Sequence, residues 1–303
     1  MNDGKSPAEV WDTDVNRHML DELFKLTHRY RSSSAYFELM RFVARFRHYA
    51  PFNAMLVSIQ MPGARYVAPP SRWEKAYKRR IKPNAHPLVI LQPKGPVMFV
   101  FDVSDTDPDE GAPPLPREIL NPFDVRGGTI RRELELTIQN AARDGVRVHE
   151  QKGGSQGAGR IRSAEPGRFL KVAARLHPTP EYLQIPVRYE LILNSELSRE
   201  ATYATLAHEL AHLYCGHLGT PNSKWWPDRR GLNPPLREFE AESASYIVCR
   251  RRGIETPSEE YLSGYARRNA TTPSISLECV MKAAGLVDQM GRERLRLRGE
   301  ARE

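Results

Sequence analysis

The chain has 303 residues, 40% hydrophobic and 27% charged, with a formal charge of +8. This is the composition of an ordinary soluble protein of about two domains, without an apolar run near the ~20 residues needed to cross a bilayer. Three cysteines, Cys215, Cys249 and Cys279, show no CxxC spacing, which argues against a disulfide framework and for a reducing cytoplasm.

The polar start, Met1 to Trp11, has no apolar segment of the kind a secretory signal carries. Helical spacing covers residues 9–61. Leu20, Leu23, Phe24 and Leu26 precede a break at Ser32-Ser33-Ser34. A second helix is expected over Tyr36 to Phe46, and a third over Phe52 to Gln60, stopped by Pro62-Gly63. Leu88 to Leu91 and Val97 to Phe101 read as two strands joined at Lys94-Gly95-Pro96. The acidic, Pro-rich run DVSDTDPDEGAPPLP, Asp102 to Pro116, is the best linker candidate. The expected organisation is a smaller α+β domain over 1–106, a linker over 107–120, a second domain over 121–290 and a charged tail over 291–303.

In the second domain, Thr129 to Arg143 has helical spacing, with Gly145 where a glycine cap belongs. Val146 to Glu150 and Arg188 to Leu193 read as strands. The Gly-rich KGGSQGAGR between them lacks the GK[ST] ending of a phosphate loop and reads as a turn. A helix follows over Arg199 to His217 with Ser198 as its N-cap, then another over Leu236 to Arg252 ended by Gly253, and a short one over Ser258 to Tyr265.

The string HELAH, His208 to His212, carries the chemistry. At about 100° per residue, His208 and His212 lie within about 40° of each other on one helix face, the spacing at which two imidazoles bind one zinc ion. Leu206, Leu210 and Leu213 fall on the opposite face. Glu209 lies beside the histidines, placed to act as general base. His217, five residues after His212, projects about 180° from His208 if the helix continues, which argues against it as a ligand. The next helix supplies Glu238 and Glu242 on a shared face, with Glu240 pointing away. Glu238, 26 positions after His212, is the expected third ligand, and Glu242 the expected hydrogen-bond partner of a ligand histidine. The reverse assignment stays open. Cys249 shares the face of Glu242, and its expected role is that of a small buried residue.

The segments TLAHELAHLYCGHLG and REFEAESASYIVCRRRGIETPSEEYLSGYA resemble the ImmA/IrrE-type metallo-endopeptidases, and most nearly the ArdC-like antirestriction proteins. In that group an HExxH helix is followed by an E-x-x-x-[DEN] helix, which Glu238 and Glu242 match. The resemblance implies a gluzincin-like zincin domain, zinc held by His208, His212 and Glu238, and hydrolysis of a protein substrate such as a repressor. The upstream segment from Phe46 to Leu91 resembles the ArdC-like N-terminal domain, associated with single-stranded DNA binding. There, Arg65 to Lys94 hold eight Lys or Arg and one acid, Glu74. Trp73, Lys75, Arg79, Arg80 and Lys82 are the candidate contacts, cations for phosphates and the indole for a base. By analogy, the strand Arg188 to Asn194 is expected to pair with an extended substrate. The alternative function is an antirestriction, single-stranded-DNA-binding protein whose zinc site is structural or vestigial.

Overall fold

The structure, a computed structural model, describes residues 30–92, 95–116, 128–152, 158–175 and 178–298. The expected helix through Leu20 and Leu26, the Lys94 turn, part of the Gly-rich loop and the last five residues lie outside the described residues. The chain is mixed α+β and divides into two compact units, Met1–Asp124 and Val125–Glu303.

In the first unit, α1 (Ser33–Arg45) begins where the Ser32 hydroxyl accepts from the Ala35 N–H, and α2 (Pro51–Gln60) begins on a proline pre-set for the first turn. Then come β1 (Val67–Ala68), α3 (Pro70–Tyr77), β2 (Arg79–Ile81), β3 (Leu88–Gln92), β4 (Gly95–Asp102) and β5 (Thr106–Pro108). Three strands pair in the order β1-β4-β3, and β2 pairs with β5, every pair antiparallel. The outer edge of β3 is covered by α2. Asn53 exchanges two amide hydrogen bonds with Leu91, at 3.0 Å each, and Gln60 exchanges two with Val89, at 2.8 Å each. These amides stand where a neighbouring strand would, so the edge is not left open.

The acidic run expected as a linker is folded into this unit. The Asp102 carboxylate is buried and accepts from the backbone N–H of Arg65 and Tyr66 and from Ser104. Thr106 to Pro108 form β5, and Leu115 packs against the aromatic cluster of Tyr66, Trp73 and Tyr77. Arg80 pairs with Asp109 and Lys82 approaches Asp107 across the ribbon, exposed pairs that add little to the buried contacts of Asp102 and Leu115.

In the second unit, α4 (Glu133–Arg143) ends on Gly145, whose φ of +83° is the left-handed conformation expected of a cap. Then follow β6 (Val146–Gln151), β7 (Gly159–Ser163), β8 (Phe169–Arg175), β9 (Glu181–Pro186) and β10 (Tyr189–Asn194). β10 lies between β6, to which it is parallel, and β7, to which it is antiparallel; all six of its residues are buried. β8 and β9 form a separate ribbon. Four helices complete the unit: α5 (Arg199–Tyr214), α6 (Pro234–Arg251), α7 (Pro257–Arg268) and α8 (Leu277–Met290). α5 packs on α6 and on β7 and β10, and α8 packs across both α5 and α6. None of the described helices is long and apolar enough to cross a membrane.

Candidate metal centre

Local sequence aims α5. Ser198 accepts from the Ala201 N–H at its start, and Leu206, Leu210 and Leu213 are buried behind it. The opposite side therefore presents His208, Glu209 and His212. α6 starts at Asn233, whose side chain accepts from the Leu236 N–H, and two prolines set its first turn. Glu238 thus stands one turn into α6, opposite the histidine pair.

The Nε2 atoms of His208 and His212 are 3.2 Å apart. Glu238 Oε2 lies 3.6 Å from His208 Nε2, and Oε1 lies 3.5 Å from His212 Nε2. Donors bonded to one tetrahedral zinc at about 2.0–2.1 Å stand about 3.3–3.4 Å from one another. With one carboxylate oxygen turned toward each imidazole, the separations lie near that value, so two imidazoles and one carboxylate have the chemistry of a zinc ligand set and stand close to its spacing. Glu242 takes another place, with Oε1 3.6 Å from His208 Nδ1. Of the two glutamates, Glu238 faces the Nε2 atoms of both histidines and Glu242 the Nδ1 atom of His208.

The electrostatics follow from crowding. Hydrogen bonding to His208 and His212 holds Glu238 below the ordinary carboxylate range, against the opposing effect of burial. Burial works to lower His208, but Glu238, Glu242 and Glu209 outweigh it and the net shift is upward. Glu209 moves up because it is buried, with the two imidazoles and the backbone of Ile161 pulling back. A carboxyl group raised in this way is a better proton acceptor at neutral pH than an exposed one.

His217 stays outside the group of His208, His212 and Glu238, as expected, but its position is set by a turn and not by a continued helix. α5 stops at Tyr214, and Gly216, at φ +85°, turns the chain back. The His217 N–H then donates to the His212 carbonyl at 3.0 Å, and its ring reaches His212, Nδ1 to Nδ1, at 3.0 Å. His217 therefore touches His212 on the side away from His208 and Glu238. Its Nε2 is 3.0 Å from Glu240 Oε2, and Glu240 is gripped by Arg229. Burial pushes His217 down. This buried group was not legible in the sequence. The only signal was a glutamate on the apolar side of α6, where a charge needs a partner.

One expectation changes, and one about Cys249 agrees with its burial. β10 cannot accept a substrate strand, because β6 and β7 occupy both its edges. The outer strand beside α5 is β7, whose Gly159 leaves no room for a side chain: an added Cβ would meet Thr205 of α5 at 2.6 Å. Cys249 is buried beside Ser245, and its thiol is pushed up to about 12 by burial.

Of the expected DNA contacts in the first unit, Trp73 is not available. It has 0% exposure, its indole N–H donates to the Phe101 carbonyl at 2.9 Å, and its ring packs against Tyr66 and Tyr77. The indole carries more apolar surface than any other side chain of α3, so burying it in the small core outweighed display. Arg79 donates to the Thr106 hydroxyl and carbonyl, Arg80 pairs with Asp109, and Lys82 donates to the Ser104 carbonyl. Lys75 is exposed.

No protein-family model matches the chain, and no curated protein matches it. One solved structure is similar: an antirestriction ArdC protein from the R388 plasmid, in its metal-free form. It is 14% identical, the match spans 80% of this chain and 82% of that one, and the TM-score is 0.33. Likeness at that level defines neither a family nor an activity.

Proposed function

We propose that this protein is a zinc-dependent hydrolase acting on peptide bonds, with the ion held by His208, His212 and Glu238 in a gluzincin-like arrangement. The observation that carries the reading is the convergence of two imidazole nitrogens and one carboxylate at separations of 3.2 to 3.6 Å, with Glu209 on the same helix beside them. When bound, zinc supplies Lewis acidity, lowering the pKa of water and polarising a carbonyl. Glu209 accepts the proton released from the attacking water and returns it to the leaving amine. Glu242 faces His208 Nδ1 at 3.6 Å, placed to steady that ring from outside. β7 is the strand at the end of the sheet, its Ile161 backbone hydrogen-bonded to Glu209, and an extended peptide laid along it is the substrate class that goes with this reading.

The test uses full-length protein. Wild type purified without added metal should carry about one zinc, and Glu209→Gln should carry as much. Incubation with a cell lysate should generate new protein N-termini with wild type and none with Glu209→Gln. Zinc-free wild type, or identical termini from both proteins, would sink the reading.

The alternative is an antirestriction role through single-stranded DNA, with zinc as a structural element. It is supported by the formal charge of +8 and by exposed Lys75. A salt-dependent mobility shift of full-length protein on single-stranded DNA, and a cellular phenotype that survives Glu209→Gln, would favour it.

A further inference from the structure

Beside the proposed zinc ligands lies a second group with metal-ligating side chains: Cys215, His217 and Glu240, all buried, with their donor atoms within 4.8 Å of one another. Its hydrogen bonds argue against a second ion. Glu240 Oε2 accepts from Arg229 Nη1 at 2.6 Å and faces His217 Nε2, while Oε1 accepts from Arg229 Nη2 at 2.7 Å and from the Ser276 N–H at 2.7 Å. Both nitrogens of His217 are engaged as well. Only the thiol is left.

We propose that His217 and Glu240 form an orienting chain that fixes the tautomer and rotation of His212, so that its Nε2 lone pair faces His208 and Glu238. The proposal rests on the reading of those three residues as a zinc site. The protons follow from the Arg229 end. Arg229 is always a donor, so Glu240 is held as an accepting carboxylate. His217 must then place its proton on Nε2, which leaves Nδ1 as an acceptor. His212, 3.0 Å away, must place its own proton on Nδ1 to donate there, and its Nε2 is freed as a ligand. Along the chain from Arg229 to His212, no other assignment of neutral imidazoles gives every hydrogen bond a donor and an acceptor.

Each histidine of the pair thus has its own support. His208 has Glu242 directly, and His212 has Glu240 through His217. Gly216 makes the second arrangement possible. Its left-handed turn folds His217 under His212, and an added Cβ would meet the Pro227 carbonyl oxygen at 2.1 Å. The same turn brings Arg229 in, its N–H donating to the Gly216 carbonyl at 2.9 Å and its guanidinium to the Cys215 carbonyl at 3.2 Å. His217 and Glu240 are positioning residues, since neither faces the space between His208, His212 and Glu238.

The test is zinc affinity, by competition with a chromophoric chelator, and the visible spectrum of the cobalt-substituted full-length protein. His217→Gln can still reach Glu240 but offers His212 no acceptor where Nδ1 stands. His217→Asn offers an amide oxygen there. The expected order of affinity is wild type, then Asn, then Gln and Ala, with the last two weakened about 10–100-fold and their cobalt bands shifted. Metal-free melting curves identify the variants that fold, and either Gln or Ala suffices. Folded variants with wild-type zinc affinity and an unchanged cobalt band would overturn the proposal while leaving the zinc site intact. Failure of the zinc reading looks different: wild type itself would bind no zinc, or His208→Ala would bind it as tightly as wild type.

Discussion

Arg229 meets Glu240 with two parallel hydrogen bonds, at 2.6 and 2.7 Å, and the Glu240 side chain has no exposure to solvent. A carboxylate buried this deeply depends on its partner, because removing one charge leaves the other desolvated and unpaired. Arg229→Met should therefore destabilise the protein by about 3–5 kcal/mol, measured by urea unfolding of the metal-free form. Arg229→Lys should recover only part, since an ammonium cannot make the paired contact. The double variant Arg229→Met, Glu240→Gln should be more stable than Arg229→Met alone. Additive losses would show that the pair is not coupled.

Glu238 and Glu242 sit one helical turn apart, yet they face different nitrogens of His208, Nε2 and Nδ1. Glu238→Ala should lower zinc affinity by at least about a hundredfold, and Glu242→Ala by the smaller 10–100-fold of an outer partner. Isothermal titration with a competing chelator separates the two. A larger loss for Glu242→Ala would reverse the assignment.

Trp73 is predicted to matter for folding. Trp73→Ala should cost about 3–5 kcal/mol through the cavity it leaves among Tyr66, Tyr77 and Phe101. Trp73→Phe should cost less, keeping most of the apolar volume while losing the bond to the Phe101 carbonyl. Thermal melting reads both. A Trp73→Phe protein that melts like wild type but loses single-stranded DNA binding would return the indole to the list of contacts.

Tyr203, buried on α5, has its phenol pushed up to about 12 by burial, with Arg252 opposing. The neutral form is the one the folded protein favours. Its contribution to stability is complete below the unfolded pKa of about 10 and is lost as pH rises toward 12, by about 2–3 kcal/mol. Urea midpoints at pH 8 and pH 11.5 should fall further for wild type than for Tyr203→Phe. The hydroxyl lies beside the Arg252 guanidinium but makes no well-formed hydrogen bond among the described residues, so at pH 8 the phenylalanine variant should stay within about 1 kcal/mol of wild type. A large loss at pH 8 would point to an unseen partner.

Much of the second unit could be read directly from the residues. The cap at Ser198, the positive φ at Gly145 and Gly253, and the shared face of His208 and His212 are local consequences of backbone geometry, and the structure has each of them. The elements that were not anticipated are those without a local signature. β8 and β9 carry Phe169, Tyr182 and Leu183 exposed, so no alternation of apolar and polar residues marks them. β5 forms only because Arg79 to Ile81 is there to pair with it.

The sequence alone determined that two imidazoles and a carboxylate would lie on the side of one helix away from its leucines, because a 3.6-residue period leaves spacing no freedom. Tertiary structure decided which glutamate meets them, that Trp73 is core, and that His217 supports His212. Those outcomes depend on where a chain turns between elements, as at Gly216, and on which buried charge finds a partner, and neither is a property of any one segment.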